Sequence, residues 1–311
     1  MRQADSTGRR HVVVTGASSG IGRATALRLA EAGDHVFAGV REPADGEALR
    51  RAAVRGRLTP LLLDVTDAGQ IAAAAATVDG HAGNTGLDGL VDNAGIGTAW
   101  PLELVPLDLF RRQLEVNLVG QLAVTQAFLP LLRRARGRLI VIGSIGDRIT
   151  MPFAGPLTAS KHAVASVADA LRQELAPWGI RVVLIEPASI RTGAVGKLER
   201  DARRAVDSFT AGGRLLYQDT YQRMITNAVA RERHGSPPEV VAEVVRKALT
   251  SARPRARYLA GKHARLLAAM NSLLPTPVLD AVRRGIFQLP APGSMAGPAS
   301  PPAPRDRRRS A

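Results

Sequence analysis

Apolar residues fall in short runs separated by longer stretches of helical periodicity. His11–Val14 is the first run. It leads into a glycine-rich turn and an apolar-periodic segment reaching about Ala32. Comparable runs follow at His35–Val40, Leu58–Leu63, Gly89–Val91, Arg138–Ile142, Arg181–Ile185 and Ala256–Ala260. A long helical pattern spans about Leu107 to Arg134, and another ends near Trp178-Gly179. Strands alternating with helices in this way predict an α/β fold. The expected form is a doubly wound parallel sheet of about seven strands, in one domain, with right-handed crossovers.

The alternation lapses after Pro187. Residues 190–235 read as amphipathic helix without a strand. In a doubly wound sheet such an insertion covers the carboxyl ends of the strands, where ligands bind. Pro237-Pro238-Glu239 then opens another helix, and two short helices are expected near Ala264–Leu274 and Val278–Phe287. Residues 1–10 are polar and expected to fray. Residues 11–289 form the folded domain, and the Pro/Arg-rich stretch 290–311 reads as a disordered tail.

With 311 residues, 45% of them hydrophobic, the chain has enough apolar material for one such domain. No run of about 20 apolar residues is free of charge, so no membrane span is expected. Cysteine is absent, which excludes disulfides and thiolate metal sites and fits a cytoplasmic setting. No metal is expected. The net charge of +15 invites a nucleic-acid reading. Against it, arginine far outnumbers lysine and the charges scatter over helix faces. The one true cluster, Arg305 to Arg309, sits in the Pro-rich tail.

Candidate chemistry begins at Thr15-Gly16-Ala17-Ser18-Ser19-Gly20-Ile21-Gly22, between a strand and a helix. Gly16 permits a sharp turn, Gly20 a close approach of backbone to phosphate, and Gly22 close packing of helix on strand. The helix N-terminus offers free N–H groups and a positive dipole to a pyrophosphate. An ordinary βα turn is the alternative, but the predicted context on both sides favours a dinucleotide. The second strand ends Gly39-Val40-Arg41, with no carboxylate to hold a ribose 2′-hydroxyl. Arg41 can clamp a 2′-phosphate, and Ser18 can add a hydroxyl, so NADP(H) is expected. The alternative is that Arg41 is a solvated loop charge.

These residues, with Asp64-Val65, Asn93-Ala94-Gly95, Ser144, Leu157-x-x-x-Lys161 and Pro187-Ala188-Ser189-Ile190-Arg191-Thr192, resemble the ordered motifs of the short-chain dehydrogenase/reductase family. The resemblance covers about residues 11 to 285. Glu174 to Gly179 and Ile185-Glu186-Pro187 are most similar to its retinol/hydroxysteroid-type branch. The resemblance implies a Rossmann-type sheet and a cofactor held by Gly16, Ser18, Gly20, Ile21, Gly22, Arg41, Asp64, Val65, Asn93, Gly95, Lys161, Pro187 and Thr192. Asp64 and Val65 would contact adenine, although Asp64 or its competitor Asp67 could instead cap the next helix. Ala188 replaces the family's glycine, and Thr192 would reach the carboxamide.

The resemblance also assigns a reaction site with one member missing. The family's Tyr-x-x-x-Lys pair shares one helix face, and here it reads Leu157-x-x-x-Lys161. Asn117 would hold a relay water, Ser144 would bond a substrate oxygen, and Lys161 would bond the nicotinamide ribose. Alternatively, Asn117 bonds its own helix backbone and Ser144 simply forms a turn. A hydrocarbon can neither donate nor accept a proton, and general acid catalysis is worth about 10²–10⁴-fold. A water held by Asn117 and Lys161, or a phenol from Tyr217 or Tyr221, could substitute. Thr158 is a poor acid, His162 points about 100° away from Lys161, and Asp147 and Arg148 flank Ser144. The implied function is an NADP(H)-dependent oxidoreductase with atypical proton transfer. It would act on a small lipophilic carbonyl, alcohol or activated acceptor such as a quinone or enone. The alternatives are a dehydratase, isomerase or cyclase, or a non-catalytic NADP-binding protein. A homo-dimer or homo-tetramer is expected through the helices bearing Asn117 and Lys161, with Ala159, Ala163 and Ala165 allowing close packing.

Overall fold

The computed structural model describes residues 9–53 and 57–294. The chain alternates β1 (His11–Val14), α1 (Gly20–Glu31), β2 (His35–Val40), α2 (Pro43–Ala52), β3 (Arg57–Leu62), α3 (Ala68–Ala82) and β4 (Gly89–Asp92). It continues with α4 (Leu107–Leu114), α5 (Gly120–Ala135), β5 (Arg138–Ile142), α6 (Gly155–Glu174) and β6 (Arg181–Pro187). Then come α7 (Ala194–Ser208), α8 (Ala211–Arg233), α9 (Glu239–Thr250), β7 (Arg257–Ala260), α10 (Ala264–Leu273) and α11 (Thr276–Phe287). The strands form one seven-stranded sheet in the order β3-β2-β1-β4-β5-β6-β7, and every neighbouring pair is parallel.

Every residue of β1, β2, β4 and β5 is buried, the mark of strands covered on both faces. Alternate residues serve opposite faces. Val12, Val14, Val36 and Ala38 pack with Leu29 and Ala30 of α1 and Val241 and Val245 of α9. Val13, Phe37 and Leu90 pack with Val78 of α3, Val124 and Phe128 of α5, and Val164 of α6. Pro60 sits in β3, which lies at the sheet edge and tolerates a residue without an N–H. A third apolar cluster, built on Trp100, Phe209, Tyr221, Met224 and Phe287, joins α7, α8 and α11.

The winding reverses between β1 and β4, which opens a crevice at their carboxyl ends. Several expectations shift here. The single helix from Leu107 to Arg134 is instead interrupted by a π-helical turn at Glu115–Val119, a feature common at functional sites. β6 continues through Glu186 and Pro187 rather than ending at Ile185. Ala165, expected to face a second copy, lies in the core beneath α6. Arg10, placed in a frayed terminus, is anchored by two bonds to the Asp34 carboxylate at 2.8 and 2.9 Å. Residues 1–8 and 295–311, including the Arg305 cluster, lie outside the described residues. No helix among the described residues is long and apolar enough to cross a membrane.

One buried acid lies under the crevice. Asp92 ends β4, accepts a 2.6 Å bond from Thr125 Oγ1, and has no partner for its other oxygen among the described residues. Burial pushes its carboxyl up to about 7, against the pull of Thr125. The native state therefore keeps a proton that the unfolded chain releases, and stability falls as pH rises from about 4 to about 7. Asp92→Asn removes this slope. Its urea midpoint should match wild type near pH 4 and exceed it by a widening margin up to pH 7, with no further gain above.

Candidate active site

The first βα turn is tied to the end of β4 by side-chain hydrogen bonds. Asn93 Nδ2 donates to Thr15 O at 2.9 Å and to Gly16 O at 3.1 Å. Thr15 Oγ1 in return accepts from the backbone N–H groups of Asn93 and Ala94. The fit leaves no room for side chains on the turn. A Cβ on Gly16 would stand 2.8 Å from Ala94 Cα, and one on Gly22 would stand 2.2 Å from Gly16 O. Gly16 and Gly20 both have positive φ, where a side chain would be strained.

The N-terminus of α1 carries no side-chain cap, because Ser19 makes no capping bond. Its first N–H groups thus face the crevice with the helix dipole behind them. Thr192 covers this end, with its methyl and Cβ 3.3 Å from where a Gly20 side chain would begin. Ala17 N–H donates to Gly39 O at 2.8 Å, which brings Ser18 beside the Gly39-Val40-Arg41 segment. Arg41 is exposed and acts electrostatically on Asp64. Burial alone would raise the Asp64 carboxyl. Thr66, through its N–H and its hydroxyl, and then Arg112 and Arg41 outweigh this and hold it below the usual range. The helix cap is Asp67, which accepts from Gln70 N, so the competition between Asp64 and Asp67 resolves for Asp67. Val65 is buried beneath α5, where it crowds Gly120.

The π turn aims Asn117 at the loop after β4, not at its own helix. Oδ1 accepts from Ile96 N at 2.8 Å, and Nδ2 donates to Ile96 O at 2.9 Å and Ser160 Oγ at 3.0 Å. Both amide hydrogens are thereby committed to protein, and Gly95 lies against the same oxygen. The sequence motifs give no role to the side chains of Thr15 and Ser160. Ser160 lies 43 residues from Asn117, and no local signal marks such a pair.

Ser144 follows β5 and opens a 3₁₀ turn, Ile145–Asp147, with its Oγ accepting from Gly146 N at 2.9 Å. Its own O–H remains available to a second oxygen. Lys161, on α6, is buried and donates from Nζ to Ile142 O at 2.9 Å, at the end of β5. Burial pushes its ammonium down to about 8, with the charge of Asp147 pulling the other way. Leu157, one turn earlier, is half-buried and faces Gly97, whose Cβ would stand 3.8 Å from Leu157 Cδ2. The other candidates are engaged elsewhere. His162 is exposed and bonds Thr158 O of its own helix, and Thr158 Oγ1 bonds Ala154 O. Tyr217 donates to Glu103, and Tyr221 donates to Ala99 O with its phenol raised by burial. A groove of about 450 Å³ runs beside the start of α6, lined by Leu102, Met151, Phe153 and Leu289 with Arg283 and Arg284 at its rim.

The family model for short chain dehydrogenases matches residues 10–203. The chain belongs to the short-chain dehydrogenase family. It is 37% identical over 292 residues to retinol dehydrogenase 5 of Mus musculus, covering 90% of this chain and 89% of that protein. It is 33% identical to an NADPH-dependent 3-dehydrocapnine reductase of Ornithobacterium rhinotracheale, covering 88% of this chain and 95% of the other. A crystal structure of a short-chain dehydrogenase from Streptomyces avermitilis superposes with a TM-score of 0.70 at 28% identity, over 90% of this chain and 95% of that one. This family places the protein among the oxidoreductases that use nicotinamide cofactors.

The Asn93 stitch can be tested on the protein alone. Asn93→Ala leaves the carbonyls of buried Thr15 and part-buried Gly16 without this donor, a loss of about 1–3 kcal/mol. Chemical denaturation should show that loss. Amide hydrogen exchange should accelerate at Gly16 to Gly22 and not in β5 or β6.

Proposed function

We propose that this protein is an NADP(H)-dependent oxidoreductase acting on a lipophilic carbonyl, alcohol or activated acceptor. The observation that carries the reading is the uncapped N-terminus of α1. It is framed by two positive-φ glycines, covered by Thr192, and placed beside a β2 end that bears Arg41 with no carboxylate just before it. The cradle suits a pyrophosphate, since Gly16 and Gly22 let the turn and α1 close on the end of β4 and leave the uncapped helix N-terminus for an anion. Gly16, Ser18, Gly20, Ile21 and Gly22 would hold the phosphates and Arg41 the 2′-phosphate. Asp64, Val65, Asn93 and Gly95 would lie along the adenosine, with Lys161, Pro187 and Thr192 toward the nicotinamide. When bound, the nicotinamide supplies or accepts the hydride. The NADPH-dependence named for the reductase relative favours the same coenzyme here.

Ser144 would donate its hydroxyl to the substrate oxygen. Lys161 would place a positive charge near that oxygen and the ribose. Asn117 would hold the Ile96 loop that forms the opposite wall. Leu157 would occupy the family's tyrosine position and offer no proton, so the site favours acceptors whose reduced oxygen needs little acid help. The insertion at 190–235 would cover the substrate. The apolar groove beside Gly155 suits a lipophilic body, as does the likeness to a retinol dehydrogenase.

Titration with NADPH and NADP⁺, followed by single-turnover mixing with ketones, quinones and enones, tests this reading. Loss of nicotinamide absorbance is expected with at least one acceptor class. Tight binding with no turnover across the panel would favour a non-redox enzyme or a binding protein on the same fold. Leu157→Tyr should raise ketone reduction at least about tenfold, since it restores a general acid. No gain in a folded, coenzyme-binding variant would show that Leu157 does not stand at the acid's position. Arg41→Ala should weaken NADPH binding by about 10–100-fold through loss of a charge-assisted bond, and leave NADH binding nearly unchanged in the same titration.

A further inference from the structure

Behind Lys161 lies a cluster of ionisable groups that the proposed chemistry does not use. Asp147 closes the 3₁₀ turn after Ser144 and is 7% exposed. Neither of its carboxyl oxygens meets a well-aligned hydrogen-bond donor among the described residues. Its Oδ2 packs against the Gly143 backbone, 2.8 Å from where a Cβ would sit. Glu186 of β6, fully buried, is its carboxylate neighbour. Glu186 takes the available cations. Arg148 grips it through two bonds of 2.7 and 2.9 Å, and Arg257 of β7 adds a third at 2.9 Å. Arg257 also reaches Asp169 of α6.

The partition decides which carboxyl holds a proton. Three guanidinium bonds converge on the Glu186 carboxylate. Asp147, buried beside that negative charge with no ion pair of its own among the described residues, is the group that favours keeping its proton. Burial first, then the Glu186 charge, push its carboxyl up to about 7, against the charge of Arg257. The remaining elements packed on the turn add little. Arg265 of α10 and the preceding Lys262 and His263 are exposed. Lys161 of α6 is the group whose charge responds, because Asp147 is the charged group acting on it among the described residues and both lean on the end of β5 at Ile142 and Gly143.

We propose that Asp147 is a positioning residue that sets the charge of Lys161, the two groups exchanging a proton across the end of β5. The exchange balances as written: the Asp147 carboxylic acid loses a proton, the Lys161 amine gains it, and carboxylate and ammonium result. An ammonium that has given its proton to a neighbouring oxygen is thereby restored from within the fold, in a site where a leucine stands before the lysine. The catalytic use of this exchange rests on the reading of Lys161 given above. The exchange itself does not.

The test uses the whole protein without coenzyme. The chain has four lysines, Lys161, Lys197, Lys247 and Lys262, so ε-¹³C-lysine NMR with a Lys161→Arg reference assigns the buried one. In wild type the Lys161 signal should show a step near pH 7, from Asp147, and a second near pH 8, its own. In Asp147→Asn the first step should vanish and the second should move down by about one pH unit or more. Glu186→Gln, which frees two arginines, should move the first step to lower pH. A single wild-type step, or a Lys161 titration that neither substitution changes, overturns the proposal. Single-turnover pH profiles then separate the two readings. Loss of the pH 7 step from the rate in Asp147→Asn, at unchanged NADPH affinity, ties the exchange to catalysis, and an unaltered profile removes it from catalysis. Absence of any turnover in wild type, with both NMR steps present, defeats the oxidoreductase reading and leaves the proton exchange standing.

Discussion

The site depends on one seam, where Asn93 at the end of β4 bonds the backbone of the first glycine turn. β1 and β4 are neighbours in the sheet but belong to opposite winding directions, so no crossover helix locks their carboxyl ends together. The amide of Asn93 and the hydroxyl of Thr15 do this instead, with four short bonds between two loops. Because Gly22 also packs on Gly16 O, the start of α1 is fixed relative to the same seam. The crevice floor and the helix dipole above it are thus one rigid unit. Asn117 repeats the device one step along, pinning Ile96 to the π turn and Ser160. A continuous α-helix would carry one residue fewer per turn through this stretch and aim the residue at 117 elsewhere.

Charge is distributed around this frame so that acids are buried unequally. Asp92 and Asp147 are both buried, and both are held near neutral pH by desolvation. Asp92 has a hydroxyl for one oxygen and no charged neighbour acting on it. Asp147 has Glu186 beside it, and Glu186 has the arginines. A buried carboxylate with two guanidinium partners is tolerable, whereas a second, unpaired charge at the same place is not. The net charge of +15 hides this arrangement. Most of the arginine ion pairs lie at the surface and are of modest worth, but Arg148 and Arg257 are exceptions, pairing with the fully buried Glu186.

The parts of the fold legible in the sequence are those in which local pattern and burial agree. β1, β2 and β5 end where their apolar runs end, since a strand covered on both faces needs nothing but such residues. The family's motifs were legible for the same reason, as contiguous stretches. β6 ran two residues further than expected because Glu186 and Pro187 look like a stop. What makes a buried glutamate acceptable there is Arg148, 38 positions earlier, and Arg257, 71 positions later. The π turn was invisible because Leu107 to Arg134 keeps helical periodicity throughout. The partners of Asn117 were invisible because they come from Ile96 and Ser160, which carry no chemical signature of their own. Likewise Asp147 could be noticed beside Ser144, but its state depends on which neighbour receives the cations, and that is settled only by three-dimensional proximity.

Leu157 places an aliphatic side chain one turn before Lys161 on α6. A phenol at that point would bring an acid of its own, and the charge behind Lys161 would then matter mainly for tuning it. With Leu157 there, packed toward Gly97, Ser144 and Lys161 are the polar groups at the end of β5 beside it. The phenols of Tyr217 and Tyr221 are already donating to Glu103 and Ala99, and recruiting either would break a bond that joins α8 to the loop after β4. Under the proposed oxidoreductase reading a proton would come from beneath, through groups whose affinity for a proton lies near neutral pH, and among the described residues Lys161 and Asp147 are buried groups at this point that meet that requirement.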